Sequence, residues 1–123
     1  MDAFFDLLKI KLDQKSERVG GQGGNCTIWK GAVSRFGYGV MKVTWPEEGR
    51  KQEKVHRVAL MVEMHLTRSQ FPGEGLEVSH LCHKKLCVNP VHLVIEPHAT
   101  NLERRHCFQQ GVCCGTHLPQ CIV

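Results

Sequence analysis

The sequence has no apolar run long enough to cross a membrane, so no membrane partner is expected. It opens Met1-Asp2-Ala3-Phe4, without a basic leader segment or a small-residue cleavage pattern, and an intracellular location is expected, nuclear if the source is eukaryotic. No internal repeat occurs, and the only low-complexity stretch is Gly20-Gly21-Gln22-Gly23-Gly24. Charge of one sign is not strongly in excess: the formal net charge is +4, which permits a nucleic-acid partner without requiring one. The seven cysteines are odd in number, which rules out a complete set of intrachain disulfides. In a reducing compartment clustered thiols are more often metal ligands than disulfides.

What is present is concentrated. Six of the seven cysteines and six of the eight histidines fall between Ser79 and Cys121. Cys82 and Cys87 are separated by four residues, as are Cys87 and His92. Ligands so spaced can converge on one tetrahedral ion, and Cys26, the only cysteine outside the cluster, is the natural fourth. A second set follows, with Cys107, either Cys113 or Cys114, His117 and Cys121, and Cys114 is preferred of the adjacent pair. Two Cys₃His sites, each holding a structural zinc, account for six of the cysteines. At 123 residues the chain is the size of one small domain whose modest core such ions would reinforce.

The rest of the chain reads as α+β. Residues 2–17 form a helix with Phe4, Phe5, Leu8 and Leu12 on one face, ended by the glycine-rich link. A first unit of residues 1–25 and a second of residues 26–123 follow from that division. Cys26–Lys30 and Gly37–Trp45 are rich in β-formers, with a turn at Ser34–Gly37 between them. Pro46–Gly49 turns again, and Arg50–Lys54 is a short polar strand, so a small antiparallel sheet is expected over residues 26–54. Lys30, Arg35, Lys42, Lys51 and Lys54 stud it and are candidates for contact with DNA, since a β-ribbon fits the major groove. A solvated sheet face explains the same charges equally well. Residues 55–68 form an amphipathic helix with Val55, Val58, Ala59, Val62 and Leu66 as its apolar stripe. Met61 and Met64 are expected to pack, and His56 and His65 to be structural or superficial.

Ser79-His80-Leu81-Cys82-His83, with Cys87, Asn89-Pro90, His92-Leu93, Glu96 and Asn101, closely resembles the His-Cys box homing endonucleases. These belong to the ββα-metal, or His-Me finger, HNH-like nucleases. Upstream, Cys26-x-x-Trp29, Gly37-Tyr38-Gly39 and His56-Arg57 look like the matching region, so the likeness spans about Cys26–Cys121. The resemblance implies a small zinc-stapled domain with a ββα-metal core. Leu76–His80, His92–Glu96 and Pro97–His106 would be its strand, strand and helix. It implies a metal-dependent DNA endonuclease, a hydrolase of phosphodiester bonds in double-stranded DNA. His80 would be the general base, Asn101 would hold one catalytic Mg²⁺, and Arg50, with Arg57 in reserve, would contact the scissile phosphate. Products with 3′-hydroxyl and 5′-phosphate ends are implied. Ser79 stands where many HNH enzymes carry an acidic metal ligand, which leaves Asn101 as the implied protein ligand. The sequence ends two residues after Cys121, without the long arm that the best-known member swaps between subunits, so the oligomeric state stays open, a homodimer included. The competing reading is an inactive zinc-stapled module, binding DNA or protein on the same scaffold.

Overall fold

The computed structural model describes residues 2–20, 26–71, 73, 75–111, 117, 119 and 121. Its first element, α1 (Asp2–Gln14), buries Phe5, Leu8 and Leu12, the apolar stripe at helical spacing. The stripe ends at Leu12, and so does the reason to stay helical. Lys15 N–H closes back on the Leu12 carbonyl, and the Ser16 hydroxyl donates to the same oxygen at 2.6 Å. The expected helix over residues 2–17 is therefore shorter, and Ser16–Val19 becomes a strand, β1. β1 pairs antiparallel with β2 (Cys26–Trp29), from Ser16 opposite Trp29 to Val19 opposite Cys26. Of the expected glycine-rich link, residues 21–24 lie outside the described residues.

The single sheet expected over residues 26–54 is instead divided. β2 turns back to β1, while β3 (Val40–Trp45) and β4 (Gly49–Lys54) make a separate antiparallel ribbon. Both edges of β2 are already taken, one by β1 and the other by the 86–88 segment, so β3 has no edge of β2 to join. Trp29 is buried with its indole N–H donating to the Ala32 carbonyl at 2.9 Å. A Cβ on Gly31 would lie 2.5 Å from the Trp29 ring, and one on Gly39 2.5 Å from that ring and 2.6 Å from Val55. Two glycines thus let the chain fold closely around one indole. The turns at Ser34–Gly37 and Pro46–Gly49 form as expected, with Gly37 and Gly49 at positive φ.

The second helix, α2 (Val55–Met64), buries Val55, Val58, Ala59, Met61 and Val62 and packs on α1. It ends short of residue 68 because His65 takes a left-handed conformation and returns its N–H to the Met61 and Val62 carbonyls. Met64 consequently faces solvent rather than packing. Side chains of α1, α2, Trp29, Val43 and Trp45 make the main core, which reaches Val78, Val88 and Leu93 of the C-terminal part.

That part is β5 (Leu76–His80), a 3₁₀ turn (Pro90–His92), β6 (Leu93–Pro97) and α3 (His98–Gln110). β5 and β6 pair antiparallel, His80 opposite Leu93, and α3 packs on both strands. This is the strand–strand–helix order expected, with β6 beginning one residue later and α3 running four residues further. Among the described residues the molecule is α+β, with three α-helices and three two-stranded antiparallel ribbons. No described helix is long and apolar enough to cross a membrane.

Candidate active site and metal centres

The loop between β5 and β6 is fastened to β2 by its backbone. Trp29 N–H donates to the Leu86 carbonyl at 2.8 Å and Val88 N–H to the Thr27 carbonyl at 2.7 Å, so Ile28 bridges Cys87. Asn89 caps the 3₁₀ turn, its side chain accepting from Val91 N–H at 3.0 Å, and this turn delivers His92. Cys26, Cys82, Cys87 and His92 thereby meet, their ligand atoms all within 4.8 Å of one another. His92 Nδ1 lies 3.5 Å from Cys26 Sγ and 3.6 Å from Cys87 Sγ. Donors on a tetrahedral zinc ion, with bonds of ~2.3 Å to sulfur, stand roughly 3.8 Å apart, so the set fits that ion. The electrostatics agree. The Cys87 thiol is pushed down to about 4, first by the hydrogen bond from Cys82, while that bond and burial push Cys82 up. Burial first, then Cys87, raises Cys26. Three crowded buried thiols ionise together only around a cation.

A second cluster joins Cys107, near the end of α3, with His117 and Cys121, all buried. His117 Nδ1 is 3.5 Å from Cys107 Sγ and 4.0 Å from Cys121 Sγ. Its Nε2 is 3.3 Å from the Glu103 carboxylate, to which it donates. That outer hydrogen bond leaves the Nδ1 lone pair toward the sulfurs, the usual arrangement of a metal-binding imidazole. Cys113 and Cys114, the alternatives for the fourth ligand, lie outside the described residues. Arg104 ties this cluster to the ββα unit. It is 1% exposed, grips Glu96 of β6 with Nε to Oε2 at 2.6 Å and Nη2 to Oε1 at 2.8 Å, and donates from Nη1 to Cys121 Sγ at 3.3 Å.

An open cleft of about 540 Å³ is lined by Tyr38, Glu77, His80, His83, Lys85, His98, Asn101 and Arg105, among others. His80 ends β5, and its Nε2 lies 3.1 Å from the Cys87 carbonyl. A carbonyl only accepts, so Nε2 carries the proton and Nδ1 keeps a free lone pair. Burial first pushes the His80 pKa down to about 4, against the raising effect of Cys87. An imidazole of this kind is a neutral proton acceptor at physiological pH. It packs against the ring of His56, centroids 4.6 Å apart, and both face Tyr38. Burial, then the charges of His80, Lys54 and Arg57, lower His56 to about 2. Across the cleft Asn101, in the first turn of α3, donates its amide N–H to Glu77, and His98 Nδ1 is 3.0 Å from both Glu77 oxygens. The Asn101 carboxamide also carries a hard oxygen donor in this open cleft, the donor type that Mg²⁺ takes.

Residues 25–123 match the family described as the zinc-binding loop region of homing endonuclease. The chain belongs to this family. The match covers most of the chain, the His-Cys box resemblance included, and it makes the role nuclease-related, with structural zinc as the fit for the Cys/His clusters. Comparison with curated proteins gives no match.

Within this homing-endonuclease scaffold the sequence-derived residues do not all converge. His80 and Asn101 line one cleft. Arg50 and Arg57 do not line it: Arg50 is opposite Thr44 on the exposed ribbon, and Arg57 lies over the Phe71 ring, 5.1 Å from its centroid. The cations at the cleft are Lys85 and Arg105, with Lys54 at its edge, 5.0 Å above the Tyr38 ring. Cross-strand partners share a face, so Lys42, Arg50 and Lys54 stand together on the outer side of the β3–β4 ribbon. Lys51, opposite Val43, is on the other side. Lys30 leans on Glu17 at 3.6 Å, and Arg35 caps the exposed Phe36 ring at 4.8 Å.

Glu77, His56, Lys85 and Arg105 were not singled out as site residues by the sequence. Glu77 sits three residues before His80 in the strand motif, and that is the one signal that could have found it. His56 lies on α2 and carries no spacing signal toward His80, and only the fold brings the two rings together.

Proposed function

We propose that this chain is a metal-dependent DNA endonuclease. The observation that carries the reading is one histidine. His80 has its Nε2–H anchored on the Cys87 carbonyl and its Nδ1 free, in a cleft shared with Asn101, on a homing-endonuclease scaffold. His80 Nδ1 accepts a proton from the attacking water, and the Cys87 carbonyl holds the ring in the required tautomer and stabilises the imidazolium that forms. Asn101 would hold a divalent ion, Mg²⁺ by the chemistry of its oxygen donors. That ion, when bound, stabilises negative charge developing on phosphate and leaving oxygens.

Lys85 and Arg105 draw the scissile phosphate into the cleft, and Lys42, Arg50 and Lys54 follow the flanking double-stranded DNA along the outer ribbon face. Cys26, Cys82, Cys87 and His92 would hold a zinc ion that keeps in place the loop whose Cys87 carbonyl aligns His80. A second zinc on Cys107, His117 and Cys121, with Cys114 as fourth ligand, fixes the far end of α3. Residues 26–123 carry this chemistry, with α1 and β1 supporting it.

The test is nicking of a supercoiled plasmid by zinc-loaded protein with Mg²⁺ or with a chelator of it, alongside Asn101→Ala. The wild type should cut only with the ion, and the variant should lose at least about a hundredfold in rate at fixed Mg²⁺, on the scale of a lost transition-state contact. Cutting by Asn101→Ala at the wild-type rate would remove this mechanism.

A further inference from the structure

We infer that Glu77 is a second oxygen ligand, beside Asn101, for the divalent cation of this cleft. The inference rests on the nuclease reading for its context, but its observations are separate. Glu77 is the only acidic side chain lining the cleft among the described residues. A carboxylate facing a polyanion repels it, and a cation held between the two turns that repulsion into attraction. Its neighbour in the cleft is the carboxamide already assigned to the ion: the Asn101 amide contacts Glu77 Oε1 directly.

Which end of a carboxamide faces a partner follows from the surrounding network. A half-turn about the Asn101 Cβ–Cγ bond puts Oδ1 where Nδ2 stands. Two oxygen donors then face the same point, as adjacent donors do on Mg²⁺, which binds oxygen at ~2.1 Å. Magnesium in proteins is usually held through one or two carboxylates, and a single neutral carboxamide is a poor substitute. Ser79 supplies none, and Glu77, one strand repeat earlier, does. His98, at 3.0 Å from both carboxylate oxygens, is the outer hydrogen-bond donor that steadies a ligating carboxylate.

The alternative is that Glu77 merely bolts α3 to β5. Glu77→Gln separates the two, because the amide oxygen still accepts from Asn101 and His98 while the charge is gone. The experiment is Mn²⁺ binding to the zinc-loaded protein without DNA, followed by the loss of the free-ion signal in electron paramagnetic resonance. Expected are one Mn²⁺ bound by the wild type and by His80→Ala, at least tenfold weaker binding by Glu77→Gln at unchanged zinc content, and tighter binding by Asn101→Asp. Equal affinity of Glu77→Gln and wild type, or no Mn²⁺ bound by the wild type, overturns the inference. So does Asn101→Asp binding no more tightly than wild type, a check that stands if Glu77→Gln does not fold. Mn²⁺ bound through Glu77 without any DNA cutting would sink the nuclease reading and leave the cation site standing.

Discussion

A histidine enclosed by rings and cations must stay neutral to stay buried, and His56 is such a residue. Its pKa is lowered to about 2 by burial first and by neighbouring positive charge second. The unfolded chain takes up that proton near pH 6.5, whereas the folded chain does so only near 2. The stabilisation is therefore complete above about 6.5 and is lost progressively as pH falls toward 2. One unit below the unfolded value the loss is about 1.4 kcal/mol. Urea melts of zinc-loaded protein at pH 8 and pH 5.5 should show a larger drop for wild type than for His56→Gln, by about that amount; parallel drops would count against a neutral buried His56. His80 and Asn101 were legible as a pair because the residues around them spell a motif. Their partners were not, since Tyr38, His56 and Glu77 reach them only through strand pairing and the packing of α2 and α3.

Secondary structure was most legible where an apolar stripe and a breaker coincide. β5 has the bounds read from the sequence, whereas α1 stops where its stripe does and α2 stops before its stripe ends, at the left-handed His65. β1 was invisible because Ser16–Val19 is polar and exposed, held by its pairing with β2 and not by hydrophobic alternation. The glycines around Trp29 carry a strict size limit. Gly39→Ala should destabilise the protein by about 1–3 kcal/mol, the usual cost of overpacking, measured by denaturant melts. A neutral result would mean the Trp29 ring can yield. The buried Arg104–Glu96 pair gives a second test at this level. Arg104→Ala leaves an uncompensated buried carboxylate and should cost about 3–5 kcal/mol. Replacing both residues by Met and Leu should cost far less than the single change, which melting of the pair of variants would reveal.

For the molecule as a whole, the core and the sulfur clusters divide the labour. α1, α2 and the two tryptophans form one hydrophobic unit, while Cys26, Cys82 and Cys87 form their own cluster with Ile28 beside it. Removing zinc should therefore loosen the second before the first. Hydrogen exchange after chelation should lose protection at residues 26–29 and 81–92, with α1 and α2 still protected. Uniform loss of protection would show one cooperative unit. The overall class was legible because Cys/His spacing survives any error in strand pairing. That β2 meets the zinc loop follows from Cys26 as fourth ligand, but the register in which it docks was not legible, because it depends on backbone hydrogen bonds that leave no residue pattern.

The most direct test of the central claim compares zinc-loaded wild type and His80→Ala on supercoiled plasmid with Mg²⁺. Expected is nicking by the wild type and a rate some 10²–10⁴-fold lower for the variant, the range for loss of a general base, at equal zinc content and unchanged circular dichroism. Equal rates for the two proteins, or no cutting by the wild type, would contradict the account.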